Sequence, residues 1–169
     1  MEDAIKDKIL DFVKERHAGQ KDKTGDRYVN HIFRVYLASI VNELGFKCEV
    51  VALLHDILED TDTTIDELKG LGIDDDIIEA IVAITRNVEE SYREYIVRVS
   101  NNSIAKKVKI LDLEDNMNIG RFIKHNLEIP KSLMERYSEA LKFLCGFNEN
   151  YNKGDKQQWL KKLKWRVSS

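Results

Sequence analysis

The sequence predicts an all-α helical bundle folded as one domain. Apolar residues recur at three- and four-residue spacing in segment after segment. The single Pro and the eight Gly fall mostly between those segments, where short connections belong. A chain of 169 residues, 43% of them hydrophobic, is long enough to bury one sizeable core. The expected domain is 1–169, with a core over about 16–145 and a basic helix over about 155–167.

In chain order, Ile5, Ile9, Phe12 and Val13 place an amphipathic packing helix at about 4–18. GQKDKTGD at 19–26 breaks the pattern with two glycines and alternating charge, and reads as a loop. From Tyr28, the positions Val29, Ile32, Phe33, Tyr36, Ile40, Val41 and Leu44 mark a second helix, which Gly45 is expected to close as its C′ residue. A third helix runs through VVALLHDILEDT at 50–61. Thr64 followed by Glu67 has the spacing of a capping box for a short helix to about Lys69. Asp74 to Asp76 open the next helix, where negative charge favours the dipole, and capping is sufficient to explain them. Helices follow at about 89–100 and 103–117, then an irregular stretch with a helical turn at 119–123. Pro130 starts a long helix through about Gly146 with Leu133, Tyr137, Ala140, Leu141 and Leu144 inward. In the tail, Trp159, Leu160, Leu163 and Val167 align on one side, as in a terminal helix docked with its lysines in solvent.

Composition removes several function classes. Lys plus Arg number 27 against 30 Asp plus Glu, so the net charge of −3 gives no support to nucleic-acid binding. Cys48 and Cys145 fit no metal-ribbon or redox spacing and read as reduced thiols of a cytoplasmic protein. No apolar run reaches the ~20 residues of a membrane span.

Two stretches carry chemistry. In the third helix an apolar run leads straight into His55, Asp56, Glu59 and Asp60, and burying such groups requires partners or a metal ion. On a continuous helix all four converge on one end of one face. In VKILDLEDNM, Asp112, Asp115 and Asn116 are threaded among Val108, Ile110, Leu111 and Met117. Asp112 and Asn116 are four apart and share a face, which Asp115 reaches only partly. His31, early in the second helix, fits a hydrogen-bonded core position when taken alone. With His55, Asp56 and Asp112 it completes two imidazoles and two carboxylates from three helices, a mixed donor set suited to Mn²⁺, Fe²⁺ or Zn²⁺. Glu59 and Asp60 beside such an ion fit metal-assisted hydrolysis, in which a carboxylate orients or deprotonates water.

The order His31, His55-Asp56, Asp112 resembles that of the HD superfamily of metal-dependent phosphohydrolases. GQKDKTGDRYVNH, ALLHDILEDT and VKILDLEDNM are similar to the three signature segments of the RelA/SpoT-type hydrolase domain and its small stand-alone alarmone hydrolases, over about Arg16 to Leu144. The resemblance implies an HD-domain helical bundle with one bound divalent ion, typically Mn²⁺, that removes the 3′-pyrophosphate of guanosine tetra- or pentaphosphate. It implies His31, His55, Asp56 and Asp112 as metal ligands, Glu59 and Asp60 in water activation, and Lys23, Asn116 and Tyr137 as contacts to the nucleotide. The length leaves no room for a synthetase domain, so the small hydrolase type is expected.

Four positions depart from that pattern. Asp22 stands where the family commonly has Arg, and is expected to repel a phosphate. Arg27 and Ile32 replace common prolines, and Leu133 replaces a phosphate-facing Arg of some members. All four touch substrate fit and none the metal set. An HD phosphohydrolase acting on another nucleotide is therefore the second reading, and an inactive nucleotide- or partner-binding module on the same scaffold the third.

Overall fold

The computed structural model describes residues 2–146, and the basic tail helix expected at 155–167 lies outside them. Among the described residues there are ten helices, and the only β pairing is an isolated bridge between Lys21 and Arg27. In order they are α1 (Glu2–Arg16), α2 (Tyr28–Val41), α3 (Phe46–Leu54), α4 (Ile57–Asp60), α5 (Ile65–Gly70), α6 (Asp75–Ile84), α7 (Tyr92–Ser100), α8 (Ser103–Asn116), α9 (Ile119–Lys124) and α10 (Lys131–Cys145). The all-α expectation holds.

The bundle is built around α3. Val50, Val51, Ala52, Leu53 and Leu54 are all fully buried, as a helix apolar on every side must be. It packs against α1, α2, α6 and α8, and α2 and α8 also pack on each other. Three mutually packed helices thus meet at the C-terminal end of α3. There an apolar core gives way to His31 from α2, His55 and Asp56 after α3, and Asp112 from α8.

Local signals explain the ends. Thr64 and Ser91 each form a complete capping box, with Glu67 and Glu94 respectively. Asn102 caps α8 by accepting from the Ile104 and Ala105 amides. Gly146 ends α10 in the left-handed conformation, φ 72°.

Two expectations change. Gly45, at φ 85°, is the N-cap of α3, and α2 stops earlier, at Val41. The helix expected across 50–61 is interrupted: α3 ends at Leu54, and Asp56 adopts φ −107° and ψ 0° before the single turn of α4. That bridge conformation is sparsely populated and common at active sites. In α10, Ala140 and Leu144 are buried in the core, whereas Leu133 and Tyr137 line a cavity. No helix among the described residues is long and apolar enough to cross a membrane.

Candidate metal centre

The site is set by how two imidazole rings are held. His55, at the C-cap of α3, points Nδ1 at the Ala52 carbonyl, 2.8 Å away. A carbonyl only accepts, so Nδ1 carries the hydrogen and Nε2 is left with a lone pair. His31 points Nδ1 at Asp115 Oδ2, 2.6 Å away. Burial alone would raise the Asp115 carboxyl, but the hydrogen bonds from His31 and Arg34 outweigh it and hold it at about 2. That carboxylate also only accepts, so His31 Nε2 likewise has a free lone pair whenever the ring is neutral.

The two Nε2 atoms face each other at 3.2 Å between two carboxylates. His31 Nε2 lies 3.1 Å from Asp112 Oδ1 and 3.7 Å from Asp56 Oδ2. His55 Nε2 lies 2.9 Å from Asp56 Oδ2 and 3.7 Å from Asp112 Oδ1. Two lone pairs so placed repel unless they share a positive charge. Ligands about 2.0–2.2 Å from one ion stand roughly 3.0–3.5 Å from each other, close to the 2.9–3.7 Å found here. His31, His55 and Asp112 are all buried, and their donor atoms lie within 4.8 Å of one another. The donor set therefore fits a divalent ion.

The same electrostatics shape the protonation of these groups. Burial pushes His55 down, but the charge of Asp56 and a hydrogen bond to Asp112 overcome it and raise the ring well above its ordinary value. His31 is raised against burial by Asp112 and Asp115. Burial would raise Asp56, but the adjacent His55 holds it at about 2. Asp112 is driven well below the ordinary carboxylate range, against burial, by the Lys109 ammonium 2.7 Å from Oδ2.

A cavity of about 440 Å³ opens in front of this cluster. Of the nine residues the sequence singles out, Lys23, His31, Asp56, Glu59, Asp60, Asp112, Asn116 and Tyr137 line it, and His55 sits buried behind. Burial raises the carboxyls of both Glu59 and Asp60, and the charge of Asp56 adds to each. Glu59 also accepts from the Arg86 amide at 3.1 Å. Asn116 donates to Asp112 Oδ1 at 2.6 Å, in accord with their shared face. Lys23 Nζ stands 5.9 Å from the centre of the Tyr137 ring, and the Arg136 guanidinium packs on the rings of both Tyr92 and Tyr137.

Several participants escape the sequence reading. Lys109 is one turn before Asp112, a spacing that does pair charges on a helix, and its ammonium also lies over the Tyr95 ring. Tyr28 donates to Asp56 Oδ2 at 2.7 Å. Asp115 lies behind the metal face, where it holds His31 at Nδ1. Asp22 is not the free anion expected. Its Oδ1 accepts from the Thr24 amide at 2.8 Å, the Thr24 hydroxyl at 2.7 Å and the Asp26 amide at 3.1 Å, and its Oδ2 pairs with Arg121.

No family model matches the chain. It is 33% identical over 144 residues to guanosine-3′,5′-bis(diphosphate) 3′-pyrophosphohydrolase of Aquifex aeolicus, across 78% of this chain and 20% of that protein. It is 29% identical over 139 residues to a probable GTP pyrophosphokinase of Mycobacterium leprae, across 76% of this chain and 17% of that protein. The chain thus spans about 20% or less of the length of these curated relatives. A solved structure, described as a metazoan ortholog of SpoT that hydrolyzes ppGpp and plays a role in starvation responses, has a TM-score of 0.61 and 21% identity. It matches 82% of this chain and 94% of its own, and carries the same fold.

Proposed function

We propose that this chain, which is related in sequence and fold to the RelA/SpoT-type hydrolase domains, hydrolyses the 3′-pyrophosphate of guanosine tetra- or pentaphosphate with the help of a divalent ion. The products are GDP or GTP and pyrophosphate. The observation that carries the reading is the pair of buried Nε2 atoms, 3.2 Å apart between two carboxylates.

In this reading His31, His55, Asp56 and Asp112 hold the ion, for which we favour manganese. Imidazole and carboxylate donors suit it. The chemistry such an ion supplies is polarisation of a phosphoryl oxygen and activation of a water molecule. The protein's own groups do the rest. Tyr28 holds the Asp56 carboxylate in place by a 2.7 Å hydrogen bond. Glu59 and Asp60, whose carboxyls are raised above their ordinary values, orient the attacking water and accept its proton. Lys23, Arg86 and Arg136 bring positive charge to the cavity wall, where a highly charged nucleotide needs it. Tyr137 offers a ring face and Asn116 an amide to the nucleotide. We read 1–169 as a single domain working in the cytoplasm on a small-molecule substrate.

A panel of phosphorylated nucleotides with product identification tests this. Pyrophosphate released from guanosine tetraphosphate in the presence of Mn²⁺ supports it. Orthophosphate released from other nucleotides, with the tetraphosphate left intact, overturns the substrate assignment in favour of the second reading. With Asp22 neutralised by Arg121, the apolar Leu133 in the cavity wall is the remaining observation on that side.

A further inference from the structure

Asp115 has no part in the chemistry above, yet its carboxylate is gripped from three sides. Oδ2 accepts from His31 Nδ1 at 2.6 Å, Arg34 Nη2 at 3.0 Å and Arg121 Nη1 at 2.9 Å, and Oδ1 accepts from Arg34 Nε at 2.6 Å. Arg121 divides its guanidinium: Nη1 stays on Asp115 of α8, while Nη2 pairs with Asp22 in the loop that carries Lys23. The four groups Arg34, Asp115, Arg121 and Asp22 sum to zero charge. Two guanidinium groups, from Arg34 and Arg121, thus flank the Asp115 carboxylate beside the His31 ring.

We propose that Asp115 is the positioning residue of the metal centre, and that Arg121 extends its hold to the substrate loop. One neutral network thus orients a metal ligand and a substrate contact together. The proposal rests on reading His31 as a ligand. Its physical basis is the tautomer: an ionised Asp115 fixes the hydrogen on Nδ1 and aims the Nε2 lone pair at the ion. It also raises the ring's basicity as a donor. Outer partners of this kind are worth roughly 10- to 100-fold in metal affinity. Asp22 then gains a purpose, because an anion at that position is what brings the Arg121 cation and the loop to α8.

The test is a Mn²⁺ titration of the purified chain, following the resonance signal of the free ion, for wild type, Asp115→Asn and Arg121→Met. Melting in EDTA is measured beside it. Asp115→Asn is near-isosteric and should weaken Mn²⁺ binding 10- to 100-fold at a temperature where both proteins are folded. A merely structural role would lower the EDTA melting temperature and leave the affinity within about twofold, which would overturn the proposal. Arg121→Met should speed amide exchange over 20–27, with a smaller loss of affinity. Wild-type exchange there would overturn the loop half of the proposal. If Asp115→Asn does not fold, Asp115→Glu replaces it, since the charge is kept while the longer side chain moves the carboxylate off its place at His31 Nδ1. A loss of affinity then supports the proposal and an unchanged affinity overturns it. A wild type that binds no divalent ion removes the metal reading itself. A wild type that binds while Asp115→Asn binds equally removes only the positioning role.

Discussion

At the scale of residues, the same carboxylate can be a ligand, a base or a support, and its partners decide which. Asp112 faces both imidazoles and a buried ammonium, so Asp112→Ala should lose the ion and activity together. It should also cost about 3–5 kcal/mol of stability, because Lys109 is left buried without its partner. Metal analysis and melting in EDTA measure the two losses separately. Glu59 makes no contact with either ring and accepts from a backbone amide. Glu59→Gln should therefore keep the ion and lose roughly 10²- to 10⁴-fold in turnover; wild-type turnover would remove Glu59 from the water-handling role. Sequence spacing brings His55, Asp56 and Asp112 forward because each interrupts an apolar pattern. It does not bring Arg121 forward, and it gives Asp115 only a partial reach to the Asp112 face. The partners of Asp115 and Arg121, His31 and Asp22, are 84 and 99 residues away, beyond what spacing along one helix can show.

At the scale of elements, boundaries set by local chemistry are legible and those set by tertiary contacts are not. The Thr64–Glu67 box and the Pro130 start can be read from neighbouring residues alone. The break between α3 and α4 cannot, since helical periodicity continues through 50–61. The Ala52 carbonyl, which a continuing helix would offer to the Asp56 amide, instead takes the His55 ring, and Asp56 is drawn aside by Tyr28. The break turns two neighbouring side chains toward the same ion position, which a regular helix would splay by about 100°. α3 must be rigid for this to work. Leu53 is fully buried in it, so Leu53→Ala should cost about 2–5 kcal/mol in a denaturant titration and loosen metal binding with it.

At the scale of the whole molecule, three mutually packed helices place four donor side chains at one end of an apolar core, and the protein's stability is tied to what charge sits among them. In the metal-free protein His31 and His55 are raised above their ordinary values, so the stability they give is full below about pH 6.5 and lost as pH rises through their folded values. Asp56 and Asp115, held at about 2, act in the opposite sense: their contribution is present above about pH 4 and lost as pH falls toward 2. Melting temperatures in EDTA should thus peak between roughly pH 4 and 6.5, and Mn²⁺ should restore stability at pH 8, where protons no longer serve. The bundle was legible because apolar periodicity is a local fact, and His31, His55 and Asp112 stood out as polar groups beside apolar runs. The cavity was not, because it is walled by residues from the loop at 20–27, α7, α9 and α10 that meet only in the fold. The central claim is that one ion lies between the two imidazoles. Anomalous diffraction from crystals grown with Mn²⁺ tests it: a single peak about 2.0–2.2 Å from His31 Nε2, His55 Nε2 and Asp112 Oδ1 is the predicted result. The two rings bridged only by a proton, with no peak between them at saturating Mn²⁺, would contradict it.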